Sequence, residues 1–207
     1  MKKMTSIILF AAGLVMLSGC LEIETPENWT EKPDTERTAV YKVVAHRGGS
    51  AECKLPDSSV ASLKYAISQN CYASETDIVL TGDKDILICH PDGNGLVNGL
   101  DPATHTVAEI RAAGNLSNGE PIPTLTDFLK IVMDKEMNPN GMKLWLDVKR
   151  FADADRSINA CLRASVIISG ANAQNYCEFL IPTGEDIFMA VRDRVINDYK
   201  ILLSAKS

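Results

Sequence analysis

Three short apolar runs, and what lies between them, constrain the fold of this chain more than anything else in it. Val43-Val44-Ala45 leads into His46-Arg47-Gly48-Gly49, Ile78-Val79-Leu80 follows Glu75-Thr76-Asp77, and Ile86-Leu87-Ile88-Cys89 ends at His90. Runs this short, rich in β-branched residues and bounded by Gly, Asp and Pro, predict buried strands. Between the first two, Val60, Leu63, Ala66 and Ile67 recur at helical spacing. Strand, helix, strand is the order of a crossover unit, so a parallel sheet is expected.

The polar residues fall at informative places on that frame. His46 and His90 each follow the C-terminal end of an expected strand, the edge where a (β/α) barrel collects its catalytic groups. Glu75 and Asp77 lie two apart on a strand and therefore share a face. Two carboxylates side by side repel unless a cation or hydrogen-bond donors compensate, and a hard divalent ion bound through oxygen is the usual compensation.

These elements, in this order, resemble the glycerophosphodiester phosphodiesterase family. The resemblance rests on His46-Arg47-Gly48, Pro56-Asp57-Ser58-Ser59, Glu75-Thr76-Asp77, His90-Pro91, Ile122-Pro123-Thr124-Leu125 and Leu146-Asp147-Val148-Lys149. Each motif is weak alone, whereas six in sequence over about a hundred residues are specific. Two positions depart from the family pattern: Asp57-Ser58 stands where Glu-Asn is usual, and Pro91 where an Asp usually follows the second His.

The resemblance implies an α/β, TIM-barrel-like fold and a set of roles. Glu75, Asp77 and Asp147 would hold one divalent cation, Ca2+ or Mg2+. Arg47 would grip the substrate phosphate with forked donors, and Lys149 would face it as a point charge. His46 and His90 would serve as acid and base, since imidazole exchanges protons near neutral pH. The implied reaction is hydrolysis of a small-molecule phosphodiester, a glycerophosphodiester, to an alcohol and glycerol phosphate. Two other readings are compatible with the same residues: a non-catalytic surface lipoprotein binding phosphoester head groups, and a phospholipase acting on intact lipid.

The start of the chain has a different character. Lys2 and Lys3 precede an apolar run, Ile7 to Leu17, that ends in Leu17-Ser18-Gly19-Cys20. A basic start, a short apolar core and small residues predict a secretory signal over residues 1–19. The ending resembles a bacterial lipobox, implying acylation of Cys20 and a lipid-anchored location in the cell envelope, periplasmic or outer surface. Loss of that segment removes two lysines and no acids, taking the formal charge from −6 to −8. Nucleic acid is a poor partner for such a chain. Residues 20–40, acidic and proline-containing, are expected to be a tether, and residues 41–207 the phosphodiesterase-like domain. No feature assigns an oligomeric state.

With Cys20 acylated, Cys53, Cys71, Cys89, Cys161 and Cys177 remain. A Cys53–Cys71 bridge is geometrically conceivable across the first helix. No CxxC or Cys/His spacing suggests zinc. Cys89 neighbours His90, but adjacent strand residues face opposite ways, so it is expected to pack outward.

Beyond His90, Thr106 with Glu109 and Thr124 with Asp127 have the capping-box spacing of helix starts. His105 is expected to be a loop residue with no chemical part. Met142 to Val148 and Tyr176 to Ile181 are expected strands, with a helix over 153–171 between them and a final helix over 183–207. That makes about five βα units where a closed barrel needs eight. A chain cut short, edges covered by oligomerisation, or an open α/β sheet would each account for the difference; the first is the expectation carried forward.

Overall fold

The computed structural model describes residues 42–182 and 185–206. The expected signal peptide, Cys20 and the acidic tether lie outside them. Among the described residues no helix is long and apolar enough to cross a membrane.

The chain forms β1 (Val44–His46), a single helical turn α1 (Ser50–Cys53), α2 (Val60–Ser68), β2 (Ala73–Leu80), β3 (Ile86–Ile88), α3 (Val107–Ala113), α4 (Leu125–Val132), β4 (Lys143–Val148), α5 (Ala154–Gly170), β5 (Cys177–Pro182), α6 (Glu185–Asp193) and β6 (Leu202–Lys206). Five strands pair in parallel in the order β1-β2-β4-β5-β6. The α/β class and the parallel sheet are as expected, with five of the eight strands of a closed (β/α) barrel present among the described residues.

Two elements differ from expectation. β3 is not a barrel strand: it pairs antiparallel with β2, Ile78 opposite Ile88 and Leu80 opposite Ile86. The five residues between them close a tight turn, with Thr81 N–H bonding Asp85 O and Lys84 at φ 65°. A short buried run carries no directional signal, and here the turn is too short for a crossover. The second difference is the final helix. α6 passes into a π-helical turn over Arg194–Asp198, and Lys200, at φ 58°, ends it. Leu202–Lys206 then pairs with β5 as the fifth parallel strand.

Alternation along the strands separates two faces. Ile78, Leu144, Leu146, Val148, Phe179 and Ile181 point to the helices and are buried there with Leu63 and Ala66 of α2, Phe128 and Leu129 of α4, Ala160, Ala164 and Ile168 of α5, and Ile187 and Val191 of α6. Fully burying each such large side chain contributes roughly 1.5–3 kcal/mol. The opposite face carries Glu75, Asp77, Trp145, Asp147, Glu178, Ser204 and Lys206, as the register pairs require. Four acids of that face, Glu75, Asp77, Asp147 and Glu178, are buried.

A smaller core of Val79, Leu87, Cys89, Val97, Ile110 and Ile122 seats α3 on the β2–β3 hairpin. Both expected capping boxes are formed, Thr106 with Glu109 and Thr124 with Asp127. The five cysteines of the described domain are free, so the conceivable Cys53–Cys71 bridge is not made. Cys89 packs in the small core, and burial pushes its thiol up to about 12, where it is no nucleophile. His105 accepts a structural role, its Nδ1 2.9 Å from Asp101 O.

Candidate active site

The loop after β1 shows why the sequence reads His-Arg-Gly-Gly. Arg47, Gly48 and Gly49 are all left-handed, at φ 49°, 81° and 75°. Gly48 must be glycine twice over. A Cβ there would lie 2.5 Å from Ser62 Oγ and 2.8 Å from the Ser62 carbonyl carbon, so α2 leaves no room. Arg47 bears the strain of a non-glycine residue in this region. The turn aims its N–H at Glu75 Oε2, 3.1 Å away, and its guanidinium across the sheet end.

Asp57 holds that guanidinium. Arg47 Nη1 donates to Asp57 Oδ2 at 2.7 Å and Ser50 Oγ to Asp57 Oδ1 at 2.5 Å. Against the cost of burial, the hydrogen bonds from Ser50 and Arg47 keep the Asp57 carboxyl below its usual range. Arg47 Nε lies 3.4 Å from Asp77 Oδ2. Ser58, next along, accepts from Thr76 Oγ1 at 2.8 Å and so ties the same loop to β2.

Glu75, Asp77 and Asp147 are all buried, and each offers an oxygen within 4.8 Å of the others. Asp77 and Asp147 are direct register partners across β2 and β4. Twice a calcium–oxygen bond is about 4.8 Å, so the three could converge on one hard cation. Both Asp77 oxygens are buried without a hydrogen bond. Lys149 Nζ stands 2.5 Å from one and Arg47 Nε 3.4 Å from the other as ion pairs. A buried carboxylate held by charge alone, in an all-oxygen set, fits a divalent ion. Burial, then repulsion from Asp77, pushes the Glu75 carboxyl up to about 7, although the Arg47 N–H opposes it.

Lys149 follows β4 and bridges two of the acids, with Asp147 Oδ2 at 3.1 Å. Burial works against its charge, and Asp77 and Asp147 more than offset that, raising its pKa. His46 is exposed, its Nε2 3.8 Å from Glu75 Oε2. His90 arrives by a route other than the expected one. Because β3 folds back along β2, Cys89 N–H bonds Asp77 O at 3.1 Å, and His90 follows it out of the hairpin. It is exposed and makes no hydrogen bond or ion pair among the described residues.

Asp57, at the position where the family motif has its phosphate-end support, clamps Arg47 from the loop before α2, and two residues of the acidic face have no signal in the sequence. Glu178, buried and accepting from Ser204 Oγ at 2.5 Å, sits in register with Trp145 and Glu75. Lys206 was hidden in the expected final helix, and its Nζ bonds Asp147 Oδ1.

A parallel β/α sheet with a carboxylate cluster, an arginine and His46 gathered at one end of one face defines a barrel-type scaffold with acids that could hold a cation. No family model matches the chain. A glycerophosphodiester phosphodiesterase of Caldanaerobacter subterraneus is 29% identical over 108 residues, 47% of this chain and 43% of that protein. YhdW of Bacillus subtilis, which bears the same name provisionally, is 32% identical over 98 residues, 42% of this chain and 39% of its own. Among solved structures, a glycerophosphodiester phosphodiesterase of Parabacteroides distasonis superposes with a TM-score of 0.65 at 24% identity, covering 79% of this chain and 64% of that one. A phosphodiesterase of Oleispira antarctica, solved with its product sn-glycerol-3-phosphate, gives 0.55 at 22% identity, covering 80% and 65%. Over these stretches the chain is similar in sequence to glycerophosphodiester phosphodiesterases and shares the fold of their solved structures. The matched stretch is about two fifths of the length of the curated relatives, and under two thirds of the solved structures.

Proposed function

We propose that this chain binds glycerophosphodiesters and hydrolyses them to an alcohol and glycerol phosphate. The observation that carries the reading is the buried trio Glu75, Asp77 and Asp147, with Asp77 lacking any hydrogen bond, set against Arg47 and His46. These acids would hold one divalent cation, Ca2+ or Mg2+ by their oxygen chemistry. Such an ion supplies polarisation of the phosphoryl oxygen and neutralises charge as it builds.

The chain's own groups do the rest. Arg47, fixed by Asp57, offers its remaining donors to a phosphate, and Lys149 adds a second positive charge beside it. His46 and His90, both exposed on the sheet's edge, exchange protons with the attacking and leaving oxygens. Lipid anchoring through Cys20 belongs to the same proposal and rests on residues 1–20 alone; detergent partitioning of wild type against Cys20→Ala checks it.

The direct test is release of glycerol phosphate from glycerophosphocholine by the full-length chain with calcium or magnesium. His46→Ala should lower kcat by about 100-fold or more, the scale of general acid–base catalysis, and leave substrate binding intact. Activity unchanged in that variant would remove His46 from the chemistry. Binding without turnover in the wild type would favour the head-group-binding lipoprotein.

A further inference from the structure

Lys206 sits on β6 in register with Pro182, on the sheet face that carries the three acids. Pro182 has only a short ring, so the lysine reaches across β5 to Asp147 on β4, two strand spacings or about 9–10 Å away. Its ammonium takes Asp147 Oδ1 while Lys149 takes Oδ2, so both oxygens of one carboxylate are covered by lysines. Asp77 and Asp147 thus meet three cations, Arg47, Lys149 and Lys206, in ion-pair contact.

The three cations are not equally held. Arg47 is bound to Asp57 at 2.7 Å as well as lying near Asp77. Lys149 contacts two acids. Lys206 contacts one, and its side chain is 34% exposed against 22% and 23% for the others. It is the cation that can leave for solvent at the loss of a single contact.

We propose that Lys206 is a tethered counter-cation for the acidic cluster: it balances Asp147 in the ion-free protein and must be displaced for a divalent ion to bind. The inference rests on the reading of Glu75, Asp77 and Asp147 as ion-holding groups. It makes Lys206 a determinant of ion affinity that contributes no bond to the ion. Lys149 already covers one Asp147 oxygen, so a divalent ion arriving at this carboxylate meets the repulsion of Lys206 at the other unless that lysine leaves.

Calcium titration by calorimetry on the full-length chain tests this. Lys206→Met should bind calcium about fivefold tighter than wild type, the upper scale of one exposed ion pair, and Lys206→Arg should stay within about twofold. Equal or weaker binding by Lys206→Met overturns the proposal, and weaker binding would make Lys206 a residue that positions Asp147. A second measurement needs no variant. Acetylation of Lys206, followed by mass spectrometry, should be faster in calcium than in EDTA; no difference at Lys206 also overturns it. Asp77→Asn separates the two readings. If it abolishes calcium binding while Lys206→Met has no effect, only the role of Lys206 fails. If wild type binds no calcium, both fail.

Discussion

Arg47 and Asp57 are ten residues apart in the chain and 2.7 Å apart in the structure, joined by a charged hydrogen bond. Ser50 completes the clamp, so the Arg-Gly-Gly turn, α1 and the loop before α2 meet at one carboxylate. The clamp sets the direction of the guanidinium, and Asp57 thereby serves the site without touching the acids in it.

Asp57→Asn keeps the shape and removes the charge. Weakening a charge-assisted hydrogen bond of this kind costs about 1.5–3 kcal/mol. The expected result is a KM for glycerophosphocholine raised about tenfold, with kcat little changed. An equal fall in kcat would place Asp57 in the chemistry instead.

Gly48→Ala and Gly49→Ala separate space from backbone conformation. Both positions have positive φ, but only at Gly48 would the new Cβ strike Ser62, while at Gly49 it would rest 3.4 Å from the Tyr65 ring. Overpacking plus strain predicts a loss of about 2–4 kcal/mol at Gly48, and about 1 kcal/mol at Gly49 from strain alone. Urea denaturation of the two variants measures the difference.

Glu75 gives the ion-free protein a pH dependence. Its carboxyl has an ordinary value of 4.5 and is raised to about 7 in the fold. Between those values the folded state binds more protons than the unfolded one, so stability falls as pH rises. The total fall is on the order of 3 kcal/mol, complete above the folded value. In EDTA, Glu75→Gln should flatten this slope in a series of denaturation curves from pH 4.5 to 8. A slope that persists in the variant would assign it to other groups.

Thermal unfolding reports the ion directly. A ligand that binds only the native state at a hundred times its Kd adds about 2.7 kcal/mol, or about 5–10 °C in Tm for a chain of this size. Saturating calcium should raise the wild-type Tm by that amount, EDTA should reverse it, and Asp77→Asn should show no response. A response retained by Asp77→Asn would place the ion elsewhere.

Much of the site was legible because its residues sit in local patterns. The period-two spacing of Glu75 and Asp77, and of Asp147 and Lys149, puts each pair on one face whatever the surrounding topology. The capping boxes at Thr106 and Thr124 depend only on residues three apart. What was not legible depended on partners far along the chain. Ile86 to Ile88 reads as a buried strand in either direction, and only its pairing with Ile78 to Leu80 makes it antiparallel. Val191, Val195, Tyr199 and Leu202 keep a helical phase, so Lys200's left-handed turn, which breaks it, left no mark in the pattern. Lys206 followed that error out of view.

The small core of Val79, Leu87, Cys89, Val97, Ile110 and Ile122 has a consequence of another kind. It stands apart from the helix-side core, and its α3 is tied in by its own clamps, Asn98 to Ile110 O and Gly114 O, Arg111 to Ile122 O and Asp127. The segment between His90 and Ile122 therefore carries much of its own packing, joined to the rest by Asp101–Arg156 and Arg111–Asp127. It can lengthen, shorten or change its chemistry beside His90 while the acids on β2 and β4 stay where they are.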